Sequence, residues 1–148
     1  MTKIHKITEC PAESLVLKDL ERTDYYDCYM VRKQTNDSID KIKEKIFTLP
    51  AWIDFLLKIR YVFIVKPFGL RTGDANPSLI SRNENEIVVG ENDKHLYFRI
   101  SVLKKESGQK SEVYLTTVVR FNNIMGRLYF LPVKPFHKLV VKALLKKV

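Results

Sequence analysis

Residues 126–148 read GRLYFLPVKPFHKLVVKALLKKV, and the fold depends on whether this stretch crosses a membrane, contacts nucleic acid or covers the protein's own core. At 100° per residue, its lysines form a slowly drifting stripe along a helix, with Arg127 near it. Apolar residues at steps of three and four collect on the other side. The apolar side comprises Met125, Tyr129, Val133, Phe136, Val140 and Leu144, and the stripe comprises Lys134, Lys138, Lys142 and Lys146. This pattern predicts an amphipathic helix over residues 124–147 that covers a core.

The charge of this helix argues against a membrane span. Its apolar run is too short, and too often interrupted by lysine, to cross a bilayer. Residues 124–148 hold six basic and no acidic residues, in a chain whose formal net charge is +9. A solvated lysine face is the simplest explanation, and contact of the lysine stripe with anionic lipid or nucleic acid is the alternative. Pro132 and Pro135 each remove a backbone donor, so we expect the helix to kink or restart there.

Length and composition indicate one folded domain. The chain has 148 residues, of which 45% are hydrophobic and 11% aromatic, as is typical of a single globular domain over residues 1–148. Its start has no apolar run of signal-peptide length. Cys10 and Cys28 are too few for a disulfide framework. We therefore expect a cytoplasmic protein with two reduced thiols.

The predicted elements follow the order strand, two helices, antiparallel meander and long helix. After an N-terminal segment (1–23) with a short helical pattern at 11–20, YYDCYMVRK is typical of a strand. Asp37 or Ser38 can cap a first helix, and Pro50 opens a second one, AWIDFLLKIRYVFIV. Strand-like stretches joined by short turns follow: SLISR, EIVVGE, KHLYFRISVLK and SEVYLTTVVRFN. This order predicts an α+β domain with helices on one face of a curved antiparallel sheet.

Alternation along the last two strands predicts which face of the sheet the helices cover. The apolar face holds Leu96, Phe98, Ile100 and Val102 of one strand and Val113, Leu115, Thr117, Val119 and Phe121 of the next. The opposite face holds His95, Tyr97, Arg99 and Ser101 beside Tyr114, Thr116, Val118 and Arg120. The apolar face must be covered, and the helices are available to cover it.

Four stretches of the chain carry a family resemblance. They are PAWIDFLLKIRYVFIVKPFGL (50–70), GENDKHLYFRISV (90–102), TTVVRFNNIMGRLYF (116–130) and VKPFHKLVVKALL (133–145). In this order they resemble an uncharacterised bacterial family, the domain-of-unknown-function family 2867, from about Asp24 to Lys146. Phe68 replaces a leucine of the family's LGL-like corner. No activity follows from the resemblance, because none is established for the family.

The resemblance implies a fold as well. The family is related to the START-like, polyketide-cyclase-like (SRPBCC) superfamily, whose helix-grip fold wraps a curved antiparallel sheet around a long C-terminal helix and an apolar cavity. The sequence shows fewer strands than the seven of the full fold, so a small or filled cavity stays open as an alternative.

Aromatic residues on the apolar sides of these elements are candidates to line such a cavity, because small-molecule sites are mostly apolar with a few polar groups. The alternative is that the same residues fill a solid core. The candidates are Trp52, Phe55, Phe98, Phe121, Tyr129 and Phe136.

A polar cluster is predicted on the opposite face of the sheet, where His95 shares a strand face with Tyr97 and Arg99, and Arg120 is a cross-strand candidate. Such a cluster could bind a carboxylate or act as a general acid or base. Because it faces away from the apolar side, a structural polar network is the alternative. His137, in the PFHK stretch, is expected to pack or cap.

The sequence holds no nucleophile motif, phosphate-binding glycine loop or zinc pattern. Glu84, Glu86, Glu91 and Asp93 could hold a cation, but they flank a turn, where such residues make local hydrogen bonds. We therefore predict neither a metal nor a cofactor, and no enzyme class.

The expected function is binding of an apolar or amphipathic, lipid- or polyketide-like molecule between the sheet and the C-terminal helix. The alternatives are a cyclase- or hydrolase-like enzyme and a basic module that contacts anionic membrane or nucleic acid. The oligomeric state stays open.

Overall fold

A computed structural model describes residues 3–48, 78–92 and 95–148 of the chain. The described strands are β1 (Ile4–Lys6), β2 (Tyr25–Lys33), β3 (Ser78–Arg82), β4 (Glu86–Asn92), β5 (Leu96–Ser107) and β6 (Lys110–Phe121). They form one antiparallel sheet in the order β1-β2-β6-β5-β4-β3. The described part of the chain also contains two helices, α1 (Ile39–Phe47) and α2 (Ile124–Leu145). The predicted α+β class with an antiparallel sheet is confirmed.

The centre of the sheet is the hairpin of β5 and β6, each 12 residues long. The strands turn at Gly108, whose φ of 65° is a left-handed conformation that glycine adopts without strain. Their register places Leu96 opposite Phe121 and Val102 opposite Leu115. The two faces predicted from alternation are therefore confirmed.

The helices cover the predicted apolar face, which we call the helix side. The side chain of Ser38 caps α1 by accepting a hydrogen bond from the Lys41 amide. From α1, Ile39, Ile42 and Ile46 join the main core, which also takes side chains from β2, β4, β5, β6 and the end of α2. The second predicted helix, at 51–65, lies outside the described residues.

α2 begins at an asparagine cap and runs through both of its prolines. Asn123 accepts a hydrogen bond from the Gly126 amide. Gly126 lies so close to β5 that a Cβ there would be 2.0 Å from the His95 carbonyl oxygen. Pro132 and Pro135 lie inside one continuous helix, so of the two expected outcomes, a kink or a restart, the restart is wrong. Both prolines are exposed, which lets water replace the backbone donors that they lack.

The side of α2 that faces the sheet differs from the prediction. The buried residues are Gly126, Tyr129, Phe130, Val141, Leu144 and Leu145. Phe130 is 8% exposed, whereas Phe136 is 54% exposed. Phe136 lies about 80° around the helix from Gly126 and Leu144, at 100° per residue. The predicted inward position of Phe136 is therefore corrected, and Phe130 takes an inward position instead.

The other face of the sheet is also covered. Residues 7–24, which we call the N-terminal strap, pack on it with Ile7, Cys10, Leu15, Val16 and Leu20. The strap consists of turns and bends, so the helix predicted at 11–20 is wrong. Its turns close with a few internal backbone hydrogen bonds, such as Ser14 N–H to the Pro11 carbonyl, and other backbone groups of the strap bond to side chains of the sheet, as described below. We call this covered face the strap side.

None of the helices in the described ranges is long and apolar enough to span a bilayer.

Candidate functional site

A polar cluster lies within the apolar helix side, where α2 crosses β2 and β6. Asp27 of β2 and Thr117 of β6 are cross-strand partners in the sheet register. Their exposed fractions are 2% and 3%. His137 of α2 lies over them, with its Nε2 atom 3.1 Å from Asp27 Oδ2. With Tyr25, these residues form what we call the Asp27 cluster.

The hydrogen bonds of the Asp27 cluster are incomplete. The Tyr25 hydroxyl donates to Asp27 Oδ2 at 2.5 Å. Within the described part of the chain, Asp27 Oδ1, Thr117 Oγ1 and His137 Nε2 are buried without a hydrogen-bond partner. The approach of His137 to Asp27 thus reaches ion-pair distance without the geometry of a hydrogen bond. Buried polar atoms almost always have partners, so these three need an explanation.

The electrostatics of the cluster centre on one buried carboxylate. Burial, together with the hydrogen bond to Asp27, raises the pKa of the Tyr25 hydroxyl. Tyr25 therefore stays a neutral donor at physiological pH. A carboxylate that is buried from solvent is costly unless other groups bond to it. The free oxygen of Asp27 can accept a hydrogen bond from an –OH or –NH group.

Aromatic side chains surround the cluster. The ring centroids of Tyr25 and Phe130 are 4.7 Å apart, and those of Phe121 and Phe130 are 5.7 Å apart. The Tyr25 and His137 rings meet edge to face at 6.0 Å. Leu96, Val119 and Tyr129 belong to the same apolar group, and Phe98 and Val133 pack against it. An apolar wall therefore adjoins the unpartnered polar atoms.

The predicted cavity aromatics divide into three groups. The structure brings Phe98, Phe121 and Tyr129 together in this apolar wall. Phe136 lies outside it, on the exposed side of α2. Trp52 and Phe55 lie outside the described residues.

The predicted polar cluster lies on the strap side, and its members have different structural roles. Tyr97 lies between two guanidinium groups, with the Arg99 and Arg120 Cζ atoms each 5.1 Å from its ring centroid. Arg99 is 7% exposed and donates to the Tyr97 hydroxyl and to the Val16 and Lys18 carbonyls. It thereby fixes the strap to the sheet.

His95 stands apart from those three residues. Its Nδ1 atom lies 3.1 Å from Asn123 Oδ1, and its carbonyl accepts a hydrogen bond from the Asn122 amide. These contacts join β5 to the start of α2.

Glu86, one of the acidic cation candidates, is fully buried on the strap side. Its carboxylate accepts hydrogen bonds from the Ser14 hydroxyl, the Leu15 amide and the Ser101 hydroxyl. The bonds from Ser14 and Leu15 hold the strap, and the bond from Ser101 joins β5 to β4 within the sheet. Glu84 is exposed in the turn before β4, and Asp93 lies outside the described residues.

Sequence reasoning did not find the Asp27 cluster. One signal was present, because Asp27 interrupts an otherwise apolar and aromatic strand and Thr117 interrupts an apolar strand face. His137 was expected to pack or cap; it lies in α2 and contacts Asp27 instead.

An open hollow of about 340 Å³ lies beside α1, lined by Asp40, Lys43, Glu44, Phe47 and Thr48. It shares no residue with the Asp27 cluster. With mostly charged and polar walls, it lacks the apolar enclosure of a small-molecule site.

A comparison with protein families matches residues 20–144 to the family described as "Protein of unknown function (DUF2867)". The chain belongs to this family. No curated protein matches it. Because the description of DUF2867 names no activity, the function of this DUF2867 domain has to be inferred from its own residues.

Two kinds of chemistry are open to the Asp27 cluster. The free carboxylate oxygen, the Thr117 hydroxyl and the imidazole can hold the polar end of a molecule. An imidazole held next to a carboxylate can also transfer a proton.

Proposed function

We propose that this domain binds a small amphipathic molecule between the sheet and α2. Its polar end would bond to Asp27, Thr117 and His137, and its apolar part would lie against Phe98, Phe121 and Phe130. The observation that carries this proposal is the set of three buried polar atoms for which the described residues supply no hydrogen-bond partner. Leaving one such atom unsatisfied costs about 1–3 kcal/mol, which a bound molecule would recover.

The chemistry of the site narrows the class of molecule. A carboxylate oxygen without a donor favours a ligand with a hydroxyl or amine group over one with a carboxylate. Phe98 and Phe121 are only partly buried, so their rings have surface left for an apolar chain. A hydroxylated or aminated lipid- or polyketide-like molecule meets both conditions.

The proposal also includes the fold superfamily of the domain and the cellular compartment in which it works. A long C-terminal helix packed on an antiparallel sheet, with a polar cluster between them, supports a helix-grip fold of the START-like, polyketide-cyclase-like superfamily. Two free cysteines, Cys10 and Cys28, favour a reducing compartment such as the cytoplasm.

Native mass spectrometry with an organic extract of the same sample tests this proposal. Adjacent threonines provide a matched pair, because Thr117 lies on the helix side and Thr116 lies on the strap side, where it bonds to Cys28 Sγ. We expect wild type and Thr116→Val to carry an added mass that disappears on denaturation. Thr117→Val should lose most of it.

Two results would overturn the proposal. One is a clean mass for wild type after incubation with long-chain alcohols and alkylamines. The other is an equal added mass in the Thr116→Val and Thr117→Val variants.

A cyclase- or hydrolase-like activity is the second candidate function, and the contact between Asp27 and His137 favours it. A carboxylate and an imidazole held together beside a substrate can act as an acid or base catalyst. Ligand captured by and extracted from His137→Gln would then be converted on incubation with wild type but not with His137→Gln. Unchanged ligand after long incubation with wild type would reject the activity and leave binding in place.

A further inference from the structure

The outer face of α2 is apolar although it points to solvent. Leu131 is 63% exposed, Leu139 is 62% exposed and Phe136 is 54% exposed. Ile124 and Leu128 extend the same row toward the start of the helix. Single exposed apolar residues are ordinary, but a row along one helix face is typical of a binding surface. We call this row the outer apolar row.

Cations flank the outer apolar row on the side next to β2. Lys134 lies 5.5 Å from the Tyr25 ring centroid, and Lys142 lies 5.7 Å from that of Tyr29. Arg127 takes a similar position 5.7 Å from the Phe121 ring centroid. Lys138 and Lys146 add to the positive charge of the helix, and residues 124–148 contain no acidic residue. The helix thus offers leucine, phenylalanine and positive charge on one outward surface.

The combination of exposed apolar side chains and positive charge limits which partners can bind this surface. A second copy would bring two sets of like charges together. Nucleic acid would pair with the cations, but it would leave the leucines without an apolar partner. The surface of an anionic bilayer takes both, with apolar side chains among the acyl chains and lysines at the headgroups.

The two prolines of α2 are compatible with a helix that lies at the headgroup level of a bilayer and does not enter its hydrocarbon core. Pro132 and Pro135 cannot donate to the Leu128 and Leu131 carbonyls, as residues at these positions otherwise would. Backbone carbonyls without a donor are unstable in hydrocarbon but are satisfied at the hydrated headgroup level.

We propose that the outer face of α2 docks on the surface of an anionic lipid bilayer. Leu128, Leu131, Phe136 and Leu139 enter the boundary of the acyl chains, and Lys134, Lys142 and Lys146 pair with headgroups. The docking uses the outward side of α2, and the Asp27 cluster uses the inward side. It therefore does not depend on the proposed ligand.

Vesicle co-sedimentation tests the docking. Full-length protein is mixed with vesicles of phosphatidylcholine alone, or of phosphatidylcholine with about one third phosphatidylglycerol, at low and at high salt. We expect binding to the anionic vesicles, weaker binding at high salt, and little binding to phosphatidylcholine alone.

Two pairs of variants distinguish specific binding through this surface from nonspecific hydrophobic or electrostatic binding. Leu131→Asp should weaken binding about tenfold or more, whereas Leu79→Asp, at a 57% exposed leucine of β3, should bind like wild type. Lys134→Gln with Lys146→Gln should weaken binding by about fivefold for each lysine. Lys6→Gln with Lys18→Gln removes the same charge from β1 and the strap and should have less effect. Unfolding midpoints near that of wild type show that each variant is folded.

Three results would overturn the docking proposal. The first is no binding to anionic vesicles at low salt. The second is equal loss in the Leu131→Asp and Leu79→Asp variants. The third is a different occupant of this face, shown by self-association that Leu131→Asp abolishes without vesicle binding, or by nucleic-acid binding that Leu131→Asp leaves intact.

Discussion

Both faces of the sheet bury charged side chains, but they satisfy them differently. On the strap side, Glu86 accepts hydrogen bonds from two segments of the chain, and Arg99 donates to two carbonyls and a hydroxyl. On the helix side, the Asp27 carboxylate receives one hydrogen bond, from Tyr25. Its second oxygen and the Thr117 hydroxyl have no partner in the described ranges.

Under the proposed function, this difference separates a structural role from a ligand-binding one. The buried charges of the strap side replace hydrogen bonds that turns and bends cannot make internally, so they belong to the fold. Among the strap-side residues described, only the Tyr26 hydroxyl, beside Cys10, is buried without a partner. The Asp27 cluster has poorer bonding than the fold alone would select, as is common where stability is given up for function.

The largest effect is expected at Glu86. Glu86→Leu leaves the Ser14 hydroxyl, the Leu15 amide and the Ser101 hydroxyl without their acceptor. At about 1–3 kcal/mol for each buried group, we expect the free energy of unfolding to fall by about 3–5 kcal/mol, measured by urea denaturation. Glu84→Leu, in the exposed turn nearby, is the control and should change it by less than about 0.5 kcal/mol. Equal effects of the two changes would contradict the structural role of Glu86.

The second largest loss of stability is expected at Arg99. Arg99→Met keeps most of the side-chain volume but removes the donors to Val16, Lys18 and Tyr97, at an expected cost of about 2–3 kcal/mol. Because two of these bonds hold the strap, limited proteolysis should cut within residues 7–24 before the rest of the domain. Arg120→Met removes a guanidinium from the same tyrosine ring without freeing the strap, so its cleavage pattern should match wild type. Earlier cleavage outside residues 7–24 in Arg99→Met would contradict the role of Arg99 in fixing the strap to the sheet.

A smaller effect should appear as a pH dependence on the strap side. The Arg32 guanidinium, with help from the Tyr114 hydroxyl, holds the pKa of Glu112 below its ordinary value. A carboxyl whose pKa is lowered by folding stabilises the protein above its unfolded pKa, about 4.3. That contribution is lost as the pH falls through the lower folded value.

Glu112→Gln measures this contribution. At pH 7 the free energy of unfolding of wild type should exceed that of Glu112→Gln by about 1 kcal/mol. The difference is modest because Arg32 is 54% exposed and solvent screens the pair. The difference should shrink toward pH 3, as followed by urea midpoints at both pH values. A difference that grows with acidity has the wrong sign for a lowered pKa.

The sequence predicted the parts of the fold that depend on local pattern. Alternation assigned the faces of β5 and β6, and the serine cap and isoleucine spacing located α1. For α2, periodicity found the helix but placed Phe136 inward. Apolar residues lie on both sides of that helix, and spacing alone cannot tell which apolar side meets the sheet.

Most of the candidate site lies beyond such local patterns. The Asp27 cluster joins β2, β6 and α2, so no short stretch contains it. The strap is similar, since Ser14 and Glu86 are 72 positions apart. Phe98, Phe121 and Tyr129 were predicted to line the interior, and the structure groups them, but the polar atoms beside them emerged only from the packing.

The most direct test compares two isosteric changes, Asp27→Asn and Glu86→Gln, by urea denaturation of protein refolded from denaturant to remove bound small molecules. If the helix side keeps a poorly bonded carboxylate for a ligand, Asp27→Asn should leave the free energy of unfolding within about 1 kcal/mol of wild type, or raise it. Glu86→Gln should lower it by about 2 kcal/mol or more, because an amide nitrogen replaces one of two accepting oxygens. A loss at Asp27 as large as that at Glu86 would show that both charges serve the fold, and it would contradict a ligand site on the helix side.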